Sequence, residues 1–166
     1  LGDALFDSGD YAAAESLYRR ALALRLAALP ENDADIGVSA NDLAIVLRQQ
    51  QKYAEAEPYY RQALAVRLVA LGPADKRTAR TAYFLGRTLD DQGRYAEAAA
   101  ALATALELAR QSYGENDETT ISWLGDQAAM LHDAGDPAAE ATYRAAIAAA
   151  EKIFADAADL RLASTR

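Results

Sequence analysis

The sequence repeats itself every 42 residues. Tyr11, Tyr53 and Tyr95 each open a similar stretch, with Tyr11-Ala-Ala-Ala-Glu15 on Tyr53-Ala-Glu-Ala-Glu57 and on Tyr95-Ala-Glu-Ala-Ala99. Further along, Tyr18-Arg-Arg-Ala-Leu22 lies on Tyr60-Arg-Gln-Ala-Leu64 and on Leu102-Ala-Thr-Ala-Leu106. Residues 11–52 and 53–94 share 18 identities in 42. The third copy is weaker, and the fourth needs one deletion near Pro137. A period of this length marks a stack of small units, each burying its apolar face against the next.

Each unit reads as two helices. Ala56, Tyr60, Ala63, Leu64 and Leu68 fall at steps of three and four, the stripe of an amphipathic helix. The spacing predicts a long helix from about Tyr53 to Leu71, stopped by Gly72-Pro73. Asp75 then serves as an N-cap, as do Asp33 and Asp117 at the same phase. A second helix follows from about Arg77 to Asp91, with Ala82, Leu85, Gly86 and Leu89 on one face and Gly93 closing it. Pro58, inside the long helix, removes one hydrogen bond and should bend its first turns slightly.

The repeat explains an odd composition. Ala is about a quarter of the chain, while Leu, Ile, Val and Phe together reach only about 20%. Small residues recur in register: Ala14, Ala56 and Ala98; Ala21, Ala63 and Ala105; Ala44, Gly86 and Ala128. Helices can approach closely only there, and Tyr18, Tyr60, Leu22, Leu64 and Leu106 fill the gaps beside them. The repeating tyrosines are packing residues, with hydroxyls at the edge of the core. The single Trp123 is read as core or edge packing.

Several functions are excluded or disfavoured. A net charge of −8 argues against nucleic acid, which needs a basic patch. No apolar run approaches a membrane span. No signal peptide is visible, and a cytoplasmic location is expected; the chain opens on Leu1 rather than Met, so its true N-terminus is expected to be missing. His132 is the only histidine and there is no cysteine, so no metal site is expected. Neither a nucleophile phrase nor a Gly-rich phosphate loop is present, and Asp90-Asp91, being adjacent, do not share a helix face. No enzyme activity and no cofactor are expected.

The order Leu-small, Leu, Gly-x-Tyr-x-x-Ala, Tyr, Ala-Leu resembles the tetratricopeptide repeat. The 42-residue period and the phrase Tyr53-Ala-Glu-Ala-Glu-Pro-Tyr-Tyr-Arg-Gln-Ala-Leu64, with Leu71-Gly72-Pro73 after it, resemble the kinesin-light-chain type. The resemblance implies an all-α fold, a right-handed α-solenoid of antiparallel helix pairs that binds protein segments in a concave groove. Residues 1–166 then form one solenoid, a fragment of a larger bacterial protein: a half repeat over 1–10, units starting near 11, 53, 95 and 137, and a truncated next helix near 159–166. There are departures. Asp33-Ala34, Asp75-Lys76 and Asp117-Glu118 stand where the family often has His-Pro, and the groove asparagine of kinesin light chains survives only as Asn41, its equivalents being Tyr83 and Gly125.

The resemblance also implies that the helix after each Asp cap, which the family counts as the first of its pair, lines the groove. Its candidate peptide-binding residues are Asn41, Ile45, Arg48, Arg80, Tyr83, Arg87 and His132. The arginines suit a carboxylate, Asn41 a peptide backbone, and Tyr83 an apolar side chain. The competing reading pairs the arginines with Asp90 and Asp91 on a solvated face. The expected function is a protein–protein interaction module, a scaffold or adaptor gripping a protein or peptide partner. The alternative is a regulatory region of a larger signalling enzyme, such as a kinase, peptidase or ATPase. Exposed end faces would allow self-association.

Overall fold

A computed structural model describes the backbone of residues 2–164 and the side chains of residues 2–155. Eight helices follow one another: α1 (Gly2–Asp7), α2 (Tyr11–Ala28), α3 (Ala34–Gln49), α4 (Tyr53–Ala70), α5 (Lys76–Asp90), α6 (Tyr95–Ser112), α7 (Glu118–Asp133) and α8 (Ala138–Ser164). Extensive packing is confined to consecutive helices, and short loops make each antiparallel to the last. The result is an all-α solenoid. The pairs α3–α4 and α5–α6 pack more extensively than α4–α5. The register that starts at 11, 53 and 95 therefore begins at the second helix of each pair. The segment read as opening another helix, near 159–166, falls outside the residues whose side chains are described; its backbone to Ser164 continues α8.

The punctuation residues act as their chemistry requires. Asp33, Asp75 and Asp117 each accept a hydrogen bond from the backbone N–H two residues on, at 2.9, 2.8 and 2.8 Å. Each carboxylate thus satisfies a donor that the first helical turn leaves free. Gly72 and Gly93 sit at φ +83° and +73°, in the left-handed region that a side chain disfavours. Pro58 lies within α4.

The core is a ribbon running the length of the stack. Ala14, Ala56 and Ala98 are fully buried, as are Ala44 and Ala128, with Gly86 buried at the same phase. A Cβ on Gly86 would stand 3.0 Å from Leu102 Cγ, so α5 and α6 meet there as closely as the sequence permits. Leu22, Tyr60, Leu102 and Leu106 fill the flanking volume. Of the tyrosines that open each unit, Tyr11 packs on Phe6, whereas Tyr95 is exposed.

Polar clasps tie α2 and α4 to the loop one unit on. Glu15 accepts from Gln50 Nε2 and Lys52 Nζ, both at 2.8 Å. Forty-two residues later Glu57 accepts from Gln92 Nε2 at 3.2 Å and from Arg94 Nη1 at 2.5 Å. The third copy has Ala99, Ala134 and Asp136 at these positions, so the clasp is absent there.

Candidate functional site

The first helices α3, α5 and α7 bring most of the sequence-derived candidates to one side of the stack. Between α3, α4 and α5 lies a small pocket of about 130 Å³, lined by Asn41, Ile45, Arg67, Arg77, Arg80 and Phe84. Towards α1, a second hollow of about 200 Å³ is lined by Asp3, Phe6, Asp7, Tyr18, Asp42 and Ile45. Ile45 borders both, so an apolar side chain separates an acidic from a basic neighbourhood.

The three arginines stand in different states. Arg48 donates from Nε and Nη2 to one carboxylate oxygen of Asp91, at 2.9 and 2.7 Å. Arg87 approaches Asp90 at 3.8 Å and Asp126 at 3.9 Å. Arg80 is exposed and, among the described residues, has no carboxylate within ion-pair distance. The pairing with Asp90 and Asp91 therefore takes up Arg48 and Arg87 but leaves Arg80 open.

Asn41 is turned into the stack. It is 8% exposed, and its Oδ1 accepts from Arg67 Nη1 and Thr81 Oγ1, both at 3.2 Å. The oxygen expected to meet a peptide backbone thus serves an internal network, because a buried arginine needs acceptors. Tyr83 is also engaged within the chain. Its ring stacks on Trp123 with centroids 4.4 Å apart, and its hydroxyl donates to Asp126 Oδ2 at 2.7 Å. Burial and that carboxylate push the Tyr83 hydroxyl above its ordinary range. Trp123, 7% exposed, is a packing residue as expected. His132 lies exposed in the last turn of α7.

Arg67 is the residue that the sequence reading passed over. It is 6% exposed, and its Nη1 donates to Asn41 Oδ1, the backbone oxygen of Arg77 and the Thr81 hydroxyl. Arg25, one period earlier, makes the same reach to the backbone oxygen of Asp35 and to Ser39. The signal was available: both arginines lie in register, as do Ser39 and Thr81. In the next unit the register holds Ala109 and Trp123. There an aromatic stack fills the space that a guanidinium network fills between α4 and α5.

Among the described residues, no cluster of His, Asp and Glu could hold a metal ion. No helix there is long and apolar enough to cross a membrane.

Comparison with known proteins bears on the whole chain. No curated protein matches the sequence. Among solved structures, BtubC (BKLC) from P. vanneervenii superposes with a TM-score of 0.80 at 22% identity, over 92% of this chain and 61% of that one. The chain thus spans about three fifths of the length of BtubC. A kinesin-light-chain-type protein of Podosopora anserina, with nearly identical TPR-like repeats, gives a TM-score of 0.79 at 17% identity, over 92% of this chain and 73% of that one. These likenesses concern the fold. The tetratricopeptide-repeat family model matches residues 1–68, 35–110 and 77–152, each time starting on or near a first helix of the pairs described above. With its helix pairs, its 42-residue register and these three overlapping matches, the chain belongs to the tetratricopeptide-repeat family.

Proposed function

We propose that this protein is an interaction module, and that the face carried by α3, α5 and α7 grips a partner segment bearing an acidic group. Repeats of this family generally mediate protein–protein binding. The observation that carries the finer reading is Arg80: an exposed guanidinium beside Ile45 and Phe84, without a carboxylate of its own among the described residues. A guanidinium offers two parallel donors to a carboxylate, and the adjacent apolar side chains give the rest of a segment a surface. Arg48 and Arg87, held at the far end of the same helices, contribute by exchanging Asp91 and Asp90 for a ligand carboxylate.

The test is an array of short acidic and neutral peptides presented to the full 166-residue chain. Acidic peptides should be retained, and Arg80→Ala should weaken them about tenfold. Retention unchanged in Arg80→Ala and in the double variant Arg48→Ala/Arg87→Ala would sink the reading.

A second reading, association between copies through the end faces, is favoured by Tyr143, Ile147 and Phe154, which α8 leaves exposed. Mass in solution should then rise with concentration, and Ile147→Glu should abolish the rise; a constant mass overturns it.

A further inference from the structure

The seams between α2 and α4 and between α4 and α6 are built on one plan but filled differently. In the earlier seam Tyr59 is partly buried against the core that holds Leu22, Leu43 and Leu47. Arg19 reaches across from α2 to cap it: Nη1 donates to the Tyr59 hydroxyl at 3.0 Å, and the guanidinium carbon lies 5.8 Å from the ring centroid. Its Nη2 reaches Glu55 at 3.0 Å. One period on, Leu64, Leu85 and Leu89 repeat the three leucines, and Arg61 and Glu97 repeat Arg19 and Glu55. At the position of Tyr59, however, stands Ala101. The later seam has therefore kept its walls and lost a phenol ring. A hollow of about 370 Å³ opens there, bordered by Arg61, Leu64, Leu85, Leu89, Glu97 and Ala101. Leu64 is only partly buried, whereas Leu22 is buried.

A large side chain replaced by a small one leaves space where its surroundings relax only in part. The earlier seam shows what that space accommodates. Three leucines offer an apolar floor to a ring, and a phenol in such a place needs a partner for its hydroxyl. Arg61 supplies one. Its Nε and Nη2 donate to Glu57 Oε1 at 3.0 and 2.8 Å, as Arg19 holds Glu15 at 2.9 Å. Its Nη1, the counterpart of the nitrogen that serves Tyr59, has no acceptor among the described residues. The charges on the rim are already compensated, Arg61 by Glu57 and Glu97 by Arg94. A neutral ring with one polar tip therefore complements the rim better than an ion does. The next seam lacks the device, since Ala103 follows Arg61 in the register. None of the groove candidates lines the hollow, so the inference stands apart from the groove reading. We infer that this pocket between α4 and α6 is a binding site for a tyrosine side chain, presented by a partner chain and seated as Tyr59 is within this one.

The experiment follows the methyl resonances of Leu64, Leu85 and Ala101 by carbon–proton NMR of the intact chain. The probes are N-acetyl-tyrosinamide, N-acetyl-phenylalaninamide, N-acetyl-leucinamide and para-cresol. The tyrosine probe should shift these methyls saturably and bind about threefold tighter than the phenylalanine probe, the margin of one hydroxyl hydrogen bond. The leucine probe should leave them unmoved. Ala101→Tyr refills the seat from within, so it should abolish the response at Leu64 and raise the melting temperature. Tyr59→Ala should open an equivalent site in the earlier seam, read at Leu22 and Leu43 with the same order of probes. Arg61→Met should bring the two aromatic probes level. Absence of a saturable shift with the tyrosine probe, equal binding of the leucine probe, or binding that survives Ala101→Tyr would overturn the proposal. A lowered melting temperature in Ala101→Tyr would overturn it as well, by showing that the ring does not fit. Binding of para-cresol with the tyrosine probe excluded would assign the pocket to a free phenol and reject a partner's tyrosine.

Discussion

Gln51 holds a left-handed backbone conformation, φ +60°, at the end of α3. Gly9, one period earlier, is at +82°, and Gly93 and Gly135 after it are at +73° and +70°. A side chain in this region crowds the following carbonyl, at about 1–2 kcal/mol. Gln51→Gly should therefore stabilise the chain by about 0.5–1 kcal/mol, read as a higher urea midpoint at unchanged slope. An unchanged or lower midpoint would show that the Gln51 side chain supplies a compensating contact. Asn41 teaches the complementary point. Its phase on α3 was readable from the sequence, but its orientation was not, because that depends on Arg67 reaching across from α4. The 42-residue register places residues on faces, and long-range hydrogen bonds decide which of them remain open to a ligand.

At the scale of elements, the glutamate clasps decide how firmly one pair holds the next. Hydrogen bonding from Lys52, aided by Gln50 and Arg19 and opposed by burial, brings the Glu15 carboxyl from the ordinary 4.5 down to about 2. Burial pushes Glu57 up, but donors from Arg61, Gln92 and Arg94 outweigh it and leave its carboxyl below the ordinary range. A carboxyl depressed in the folded state leaves the unfolded chain binding more protons as the pH falls. The clasps therefore contribute fully above about pH 4.5, and the Glu15 contribution is lost as the pH drops towards 2. Glu15→Gln should cost about 1 kcal/mol at neutral pH, its partners being partly exposed, and should flatten the fall in stability below pH 4.5. A denaturation series from pH 7 to pH 3 checks both. The helices, their caps and their stops were legible because aspartate, glycine and the small-residue register act locally. The clasps were not, although Glu15 and Glu57 align, because the donors lie on a loop one unit away and the apolar stripe says nothing of them.

Over the whole molecule, support thins towards the C-terminal end. The clasp occurs twice and is missing from the third copy, and the buried arginine gives way to Ala109. On α8, Tyr143 and Ile147 are exposed where the residues at the same phase of α6, Leu102 and Leu106, are buried. In a stack stabilised by nearest neighbours, such a unit opens on its own. Among the helices from α3 onward, amide exchange should be fastest in α8, slower in α7 and slowest from α3 to α6; uniform protection from α3 to α8 would contradict the gradient. The place where this gradient begins carries its own optical label. Trp123 is the chain's only tryptophan, and it lies face to face with Tyr83 at the junction of α5 and α7. Indole emission from the unmodified protein consequently reports the seam where α7 meets Tyr83 and Tyr113. Its loss ahead of the far-ultraviolet circular dichroism signal would time the parting of that seam against the melting of the helices, without any introduced dye.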